Sequence, residues 1–245
     1  MTPDLLARLR EAQSAKRPVA LLTRLPDGAQ FLWPDDAGPV PRALADAAEA
    51  AMRDDKAGLV ALGGERWFAH PHNPPVRLIV VGAVHVAQAL VPMASALGLA
   101  VTVVDPRRAF ATPERFPGVS LSFDWPDEAM EALALDGRTA VVTLTHDPKL
   151  DDPALDVALR SPCFYIGALG SRRTHGKRVA RLREMGHGDD AIARIHAPVG
   201  LDIAAVTAPE IALSVLAEVV AARRGAALAR REPPAAAAPA MAAAG

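Results

Sequence analysis

The residues best equipped for chemistry gather at four places where an apolar run gives way to a turn. Thr145-His146-Asp147-Pro148-Lys149, with Asp151 and Asp152 just beyond, sets an imidazole beside carboxylates. An imidazole titrates near neutral pH, and an adjacent carboxylate can orient it as a general acid or base. His146 and Asp147 are therefore the candidate catalytic pair, with an ordinary solvated loop as the alternative. Gly167-Ala168-Leu169-Gly170-Ser171-Arg172-Arg173 joins two glycines, a capping serine and two guanidinium groups at a helix start. Free amides, the positive end of a helix and forked cations suit an anion. Gly167, Gly170, Ser171, Arg172 and Arg173 are accordingly candidate cofactor-binding residues. The plainer alternative is a helix start with solvated arginines.

The other two places sit together in "RLIVVGAVHVAQALVPMASALGLAVTVVDPR", Arg77 to Arg107. Gly82 permits a tight turn and Ala87 close packing of helix on strand. Val84 stands where a dinucleotide loop carries the glycine over which a pyrophosphate lies. Its branched side chain argues against ordinary NAD(P) binding, while the helix start that includes His85 still offers amides and a positive end. The readings left open are a modified anion site and a turn that kept its geometry without a ligand. Asp105, at the end of the next apolar run, occupies the position of a ribose-binding acid. Arg107 follows it, where an arginine can hold a phosphate. Gly82, His85, Asp105 and Arg107 complete the candidate set. His175 and His196 are weaker candidates, and Cys163 precedes an apolar run where a lone thiol is core packing. No His/Cys/Asp spacing matches a structural metal motif, so no metal ligands are named.

The elements that must position these residues follow from periodicity and punctuation. Leu5, Leu6 and Leu9 give a short amphipathic helix. Strands over Val19–Thr23 and Gln30–Trp33 flank a turn at Pro26-Asp27-Gly28. A helix runs from Pro41 to Met52. Gly58–Leu62 and Glu65–His70 form a hairpin about Gly63-Gly64. "HPHNPP", His70 to Pro75, is a linker that cannot continue a strand. Beyond it strands and helices alternate. Strands are expected at Leu78–Val81, Ala100–Val104, Val119–Phe123, Thr139–Leu144 and Cys163–Ile166. Helices are expected at Val84–Leu97, from Pro126, at Pro153–Leu159 and from Ser171 to Met185. A last helix runs to Arg224, opened by a capping box of Thr207 and Glu210. Pro92 should bend the first of these helices. Continuous apolar strands between helices mean a parallel sheet covered on both faces, a Rossmann-like α/β domain. The expected organisation is a small α+β domain over residues 1–75, the α/β domain over 76–225, and a disordered Ala/Pro-rich tail over 226–245.

Bulk properties narrow the partners. The 245 residues carry 27 basic and 28 acidic side chains, a net charge of −1, which gives no electrostatic footprint for nucleic acid or an anionic membrane. One cysteine excludes an intrachain disulfide. The first residues, MTPDLLARLREAQ, lack the apolar core of a signal peptide. The run Ile211–Ala222 is broken by Glu218 and too short to span a bilayer. A soluble cytoplasmic protein is expected.

The segments "GAVHVAQAL", "VTVVDPR", "FATPERFP", "LTHDPKLDDPAL", "FYIGALGSRRTH", "IHAPVGLDI" and "APEIALSVLAE" occur in that order. Together they resemble the XdhC/CoxF family of accessory factors for xanthine dehydrogenase and related molybdenum hydroxylases. The resemblance is dense from Arg77 to Arg224 and loose before it. It implies a chaperone more than a catalyst: a protein that binds molybdenum cofactor as cargo, protects it while a cysteine desulfurase supplies its terminal sulfur, and hands it to the apoenzyme. It also implies a homodimer. The chain departs from the family twice. Many members have glycine where Val84 stands, and longer members have a Gly-Gly-Cys loop, whereas Trp33–Met52 contains no cysteine. An NAD(P)-dependent oxidoreductase, with Asp105 on the ribose and His146 as acid/base, is the enzymatic alternative. A docking scaffold without cofactor is the third.

Overall fold

The computed structural model describes residues 1–36, 38 and 40–226; the stretch expected to form a disordered tail lies outside them apart from Ala226. The chain divides into two compact units, Met1–Ile79 with Ala94–Thr102, and Val80–Met93 with the chain from Val103 onward.

In the first unit the elements are α1 (Pro3–Ser14), β1 (Val19–Arg24), β2 (Gln30–Trp33), α2 (Arg42–Asp54), β3 (Gly58–Leu62) and β4 (Glu65–His72). The four strands form one antiparallel sheet in the order β2-β1-β4-β3. Alternation along β1 sorts its side chains between two cores. Val19 and Leu21 pack with Leu5, Leu9 and Ala12 of α1, whereas Ala20 and Leu22 pack with Leu44, Ala48 and Ala51 of α2. The β3–β4 turn places Gly63 and Gly64 at φ 59° and 82°. Two successive positive φ values are what a tight hairpin turn of matching twist requires.

One expectation fails here. β4 does not stop at His70 but continues through Pro71 to His72, with Pro71 opposite Ala20 and His72 opposite Val19. The reason is local. β3 pairs with β4 only as far as Ala69, so beyond it β4 has a free edge where a missing amide hydrogen is tolerated.

The remaining elements are β5 (Arg77–Val81), α3 (His85–Ala96), β6 (Ala100–Val104), β7 (Ser120–Ser122), α4 (Pro126–Ala132), β8 (Thr139–Thr143), α5 (Pro148–Arg160), β9 (Tyr165–Ala168), α6 (Arg172–Glu184), α7 (Asp189–Ile192), β10 (Ile195–His196) and α8 (Ala208–Arg224). The six strands form a parallel sheet in the order β10-β9-β8-β5-β6-β7. Counted from β5, that is the Rossmann order 3-2-1-4-5-6. Leu78, Ile79, Val80 and Val81 of β5 and Ala140, Val141 and Val142 of β8 are all fully buried, as strands covered on both faces must be.

Several details differ from the expected elements, the unexpected short α7 among them. α5 begins at Pro148 rather than Pro153, because Asp147 caps it and Pro148 takes the first helical position. Pro153 then lies inside the helix. The segment around His196, where no strand was expected, contributes a two-residue sixth strand beside β9, with His196 opposite Gly167. α8 starts as expected, with the Thr207–Glu210 capping box formed and Gly225 left-handed at its end.

Candidate functional site at the carboxyl edge of the parallel sheet

The strand order reverses between β5 and β8, and such switch points are where ligands enter an open α/β sheet. The two strands are hydrogen-bonded neighbours, with the Leu144 amide donating to the Val81 carbonyl at 2.9 Å. Gly82 ends β5 at φ 109°, and a Cβ there would lie 2.5 Å from Cγ2 of Thr145. Both the backbone conformation and the space demand glycine, so the turn after β5 is held directly against the turn after β8.

Asp105, at the end of β6, is completely buried. Its Oδ2 accepts from the Ala83 amide at 2.8 Å and from Arg107 Nη2 at 2.8 Å. Its Oδ1 accepts from the Arg107 amide and from Arg107 Nε, both at 2.9 Å. A carboxylate offers about four acceptor positions, and all are occupied. Burial opposes the charged form, but the Arg107 guanidinium and the two amides outweigh it and hold the carboxyl below its ordinary value. Asp105 and Arg107 thus tie the β6 end to the β5 turn, and the carboxylate has no position left for a ribose hydroxyl. His85 is exposed at the start of α3, and Val84 is half-buried before it. This geometry gives NAD(P) no support.

The turn after β8 is different. His146 is exposed and adopts φ 62°, a strained conformation for a residue with a side chain. Asp147 does not orient it. The Asp147 side chain accepts from the Lys149 amide at 3.0 Å and caps α5. The carboxylates that matter lie one turn later. Asp151, buried, accepts from the Thr145 hydroxyl at 2.7 Å. Its other oxygen lies 3.6 Å from Nη2 of Arg178, which also donates to the Leu169 carbonyl at 3.0 Å. Burial raises the Asp151 carboxyl, against the Thr145 hydroxyl and Arg178. Asp152 pairs with both Nε and Nη2 of Arg181.

Across from His146 comes the loop from β9 to α6. Gly170 takes φ 132°, and a Cβ on it would meet Thr174 and come within 3.7 Å of Nδ1 of His146. Ser171 caps α6 as expected, its hydroxyl accepting from the Thr174 amide at 3.2 Å. Gly167 lies within β9, and its missing side chain makes room for Val199 and Tyr165. Its part is packing. Arg172 and Arg173 are both exposed. Arg173 lines a cleft of about 210 Å³ together with His146, Asp151, Lys177, Arg178 and Arg181; Arg172 does not.

Arg178 is the functional candidate that sequence reasoning missed. It is 2% exposed, and among the described residues its Nε and Nη1 have no hydrogen-bond partner. Burial lowers it below the ordinary guanidinium value, opposed by Asp151 and Asp152, yet an arginine remains cationic at neutral pH. The signal available was spacing: Arg178 and Leu182 are four apart and share the buried face of α6.

Of the other singled-out residues, His196 and Cys163 have structural partners. His196 Nδ1 lies 3.0 Å from Glu218, which also accepts from the Tyr165 hydroxyl at 2.6 Å. Cys163 is buried, its sulfur accepting from the Ser161 hydroxyl. His175 is half-buried with its ring held below its ordinary value by burial. Among the described residues no group of three or more His, Cys, Asp or Glu gathers as a metal site, and no helix is long and apolar enough to cross a membrane.

Residues 78–219 match the family described as the XdhC Rossmann domain. The chain belongs to the XdhC family. Relatives of this XdhC-family chain include YqeB of Escherichia coli K12, described as uncharacterized, 36% identical over 70% of this chain and 32% of its own length. The molybdenum cofactor insertion chaperone PaoD of Escherichia coli K12 is 37% identical over 62% of this chain and 41% of its own. A Bacillus subtilis 168 protein, described as a probable subunit of xanthine dehydrogenase, is 30% identical over 66% and 47%. The chain therefore spans about a third to a half of the length of these relatives. A Bacillus halodurans protein solved as a xanthine dehydrogenase shares the fold, with a TM-score of 0.56 at 19% identity, covering 89% of this chain and 93% of its own.

Proposed function

We propose that this chain is an accessory factor that binds molybdenum cofactor and delivers it to the apoenzyme of a molybdenum hydroxylase of the xanthine dehydrogenase or CO dehydrogenase type. The observation that carries this reading is the cationic cleft between the turn after β8 and α6 of an XdhC Rossmann domain, lined by His146, Arg173, Lys177, Arg178 and Arg181. Molybdopterin is a pterin bearing a phosphate, so its cargo form presents an anion to such a cleft. An arginine with unpartnered donors fits that anion, whereas the saturated Asp105 does not fit the ribose of a nicotinamide dinucleotide. The name of the relative PaoD supports the same reading.

In this account the protein's residues bind and orient. Arg173 and Lys177 contribute charge from the solvent side, and Thr174, whose amide donates to the Ser171 hydroxyl, lines the cleft beside them. His146 also lines the cleft, where its imidazole can hydrogen-bond the cargo. The handover partner is the hydroxylase apoenzyme. A cysteine desulfurase supplies the terminal sulfur while the cofactor is held, and the working form is a cytoplasmic homodimer. Cys163 takes no part in sulfur transfer because it is buried.

The test is cofactor transfer. Protein purified from cofactor-producing cells should carry pterin, and adding it to apo-hydroxylase should restore activity faster than free cofactor does. Protein that carries no pterin and leaves restoration unchanged contradicts the proposal. A co-purifying desulfurase activity would sharpen it.

A further inference from the structure

The cleft below His146 contains more than a general positive field. Arg178 is buried at its back with two guanidinium nitrogens that have no partner among the described residues. An unmade hydrogen bond on a buried charged donor is costly, so native structures leave few of them. Asp151 does not account for them, since its contact is with Nη2, at 3.6 Å, and Nη2 already donates to Leu169. The donors left over, Nε and Nη1, are the kind that recognise oxygens of a carboxylate or phosphate.

Charge and size narrow the ligand. Arg173, Lys177, Arg178 and Arg181 bring four positive charges to the cleft, and Asp151 lines it with one negative charge. Asp152, paired with Arg181, adds a second, so four minus two leaves an excess of two. A phosphate monoester near neutral pH carries about that charge with the opposite sign. The volume, about 210 Å³, is below the roughly 300–1,000 Å³ of pockets that enclose a whole drug-sized ligand. The cleft accommodates one end of a larger molecule.

We infer that this cleft is a receptor for a terminal phosphate monoester, with Arg178 as its buried contact and Arg173 and Lys177 as its outer ones. The assignment of that phosphate to the pterin cargo rests on the chaperone reading above; the phosphate chemistry itself does not. It shifts the anion site from the amides of the Gly167–Arg173 loop to side chains along the first two turns of α6.

The experiment titrates the full-length protein with inorganic phosphate and with glycerol 3-phosphate, following the thermal midpoint and calorimetric binding, with nitrate at matched ionic strength as control. The wild type should rise by about 5 °C at phosphate concentrations far above Kd, and nitrate should do nothing comparable. The double variant Arg173→Ala/Lys177→Ala changes exposed residues and should fold. It should weaken phosphate binding by about tenfold or more. Arg178→Lys keeps the charge, loses the fork and should weaken it further. Pterin retained per chain is measured on the same proteins. Loss of retention in parallel with phosphate affinity supports the inference. A wild type indifferent to phosphate, or variants that bind it unchanged, overturns the receptor even if the wild type still carries pterin. Variants that lose phosphate binding but retain pterin at wild-type levels overturn the assignment of the receptor to the cargo, and the chaperone function survives. A wild type that binds phosphate but never carries pterin overturns the chaperone reading and, with it, the cargo assignment alone.

Discussion

The turn after β5 and the turn after β8 lie side by side at the same edge of one sheet, yet they dispose of their polar atoms in opposite ways. Around the first, Asp105 is surrounded by the amides of Ala83 and Arg107 and by the Arg107 side chain, and every acceptor position is used. Near the second, Arg178 is buried as well, and two of its donors have no partner among the described residues. The first turn has the sequence rhythm of a ligand loop and serves as an internal clamp. The second region has no recognised fingerprint and leaves its hydrogen-bonding capacity available. Unmade hydrogen bonds in a buried charged group are a better guide to a binding site than the outline of a motif.

The contrast can be broken at several points. The largest expected effect is at the contact between the turns. Gly82→Val imposes a side chain at φ 109° and a clash with Thr145, and should destabilise the fold by about 3 kcal/mol or more, read as a lowered urea midpoint. A midpoint within error of wild type would mean that the two turns are not locked together.

The clamp and the cleft should also titrate with opposite sign. The Asp105 carboxyl is held below its ordinary value, so its stabilisation is fully present above the unfolded value of about 3.9 and is lost as pH falls through the folded one. Burial raises Asp151, so the native state keeps that proton longer, and stability falls as pH climbs from about 3.9 through the raised value. Asp105→Asn should cost about 2 kcal/mol at pH 7 and flatten the acid-side loss. Asp151→Asn should remove the opposing slope. Chemical denaturation across pH 3–8 reads both, and slopes of the same sign in the two variants would erase the distinction.

How much of this was legible beforehand depends on the kind of signal. The parallel sheet was, because β5, β6 and β8 are continuous apolar runs, and α8 was, because Thr207 and Glu210 are local partners. β10 was not: two residues beside β9 carry no periodicity. The continuation of β4 through Pro71 was not, because it depends on where β3 ends in the sheet. Beside the cleft, the Ser171 cap was readable as a local signal ahead of a helix. Arg178 was hardly so, since in the polar helix RRTHGKRVARLRE only its spacing of four from Leu182 marks which arginine turns inward. Asp147 looked like the partner of His146 because it is adjacent in sequence, but the start of α5 claims its carboxylate.

That last point gives a smaller prediction. Asp147→Ala should lower stability by about 1 kcal/mol, the value of a helix cap, and change phosphate affinity less than twofold. A large loss of affinity would restore Asp147 to a binding role. The smallest effect is expected at Arg172, which is exposed and does not line the cleft. Arg172→Ala should change phosphate affinity less than twofold, while Arg173→Ala lowers it about fivefold by calorimetry. Equal losses would move the anion back toward the loop amides.

The central claim is that this chain carries molybdenum cofactor. Its most direct test is to purify the protein from cofactor-producing cells and measure pterin and molybdenum per chain by fluorescence after oxidation and by elemental analysis. The account predicts close to one pterin for each chain, falling steeply in Arg173→Ala/Lys177→Ala. Wild-type protein free of pterin, from cells in which the cofactor is abundant, would contradict it.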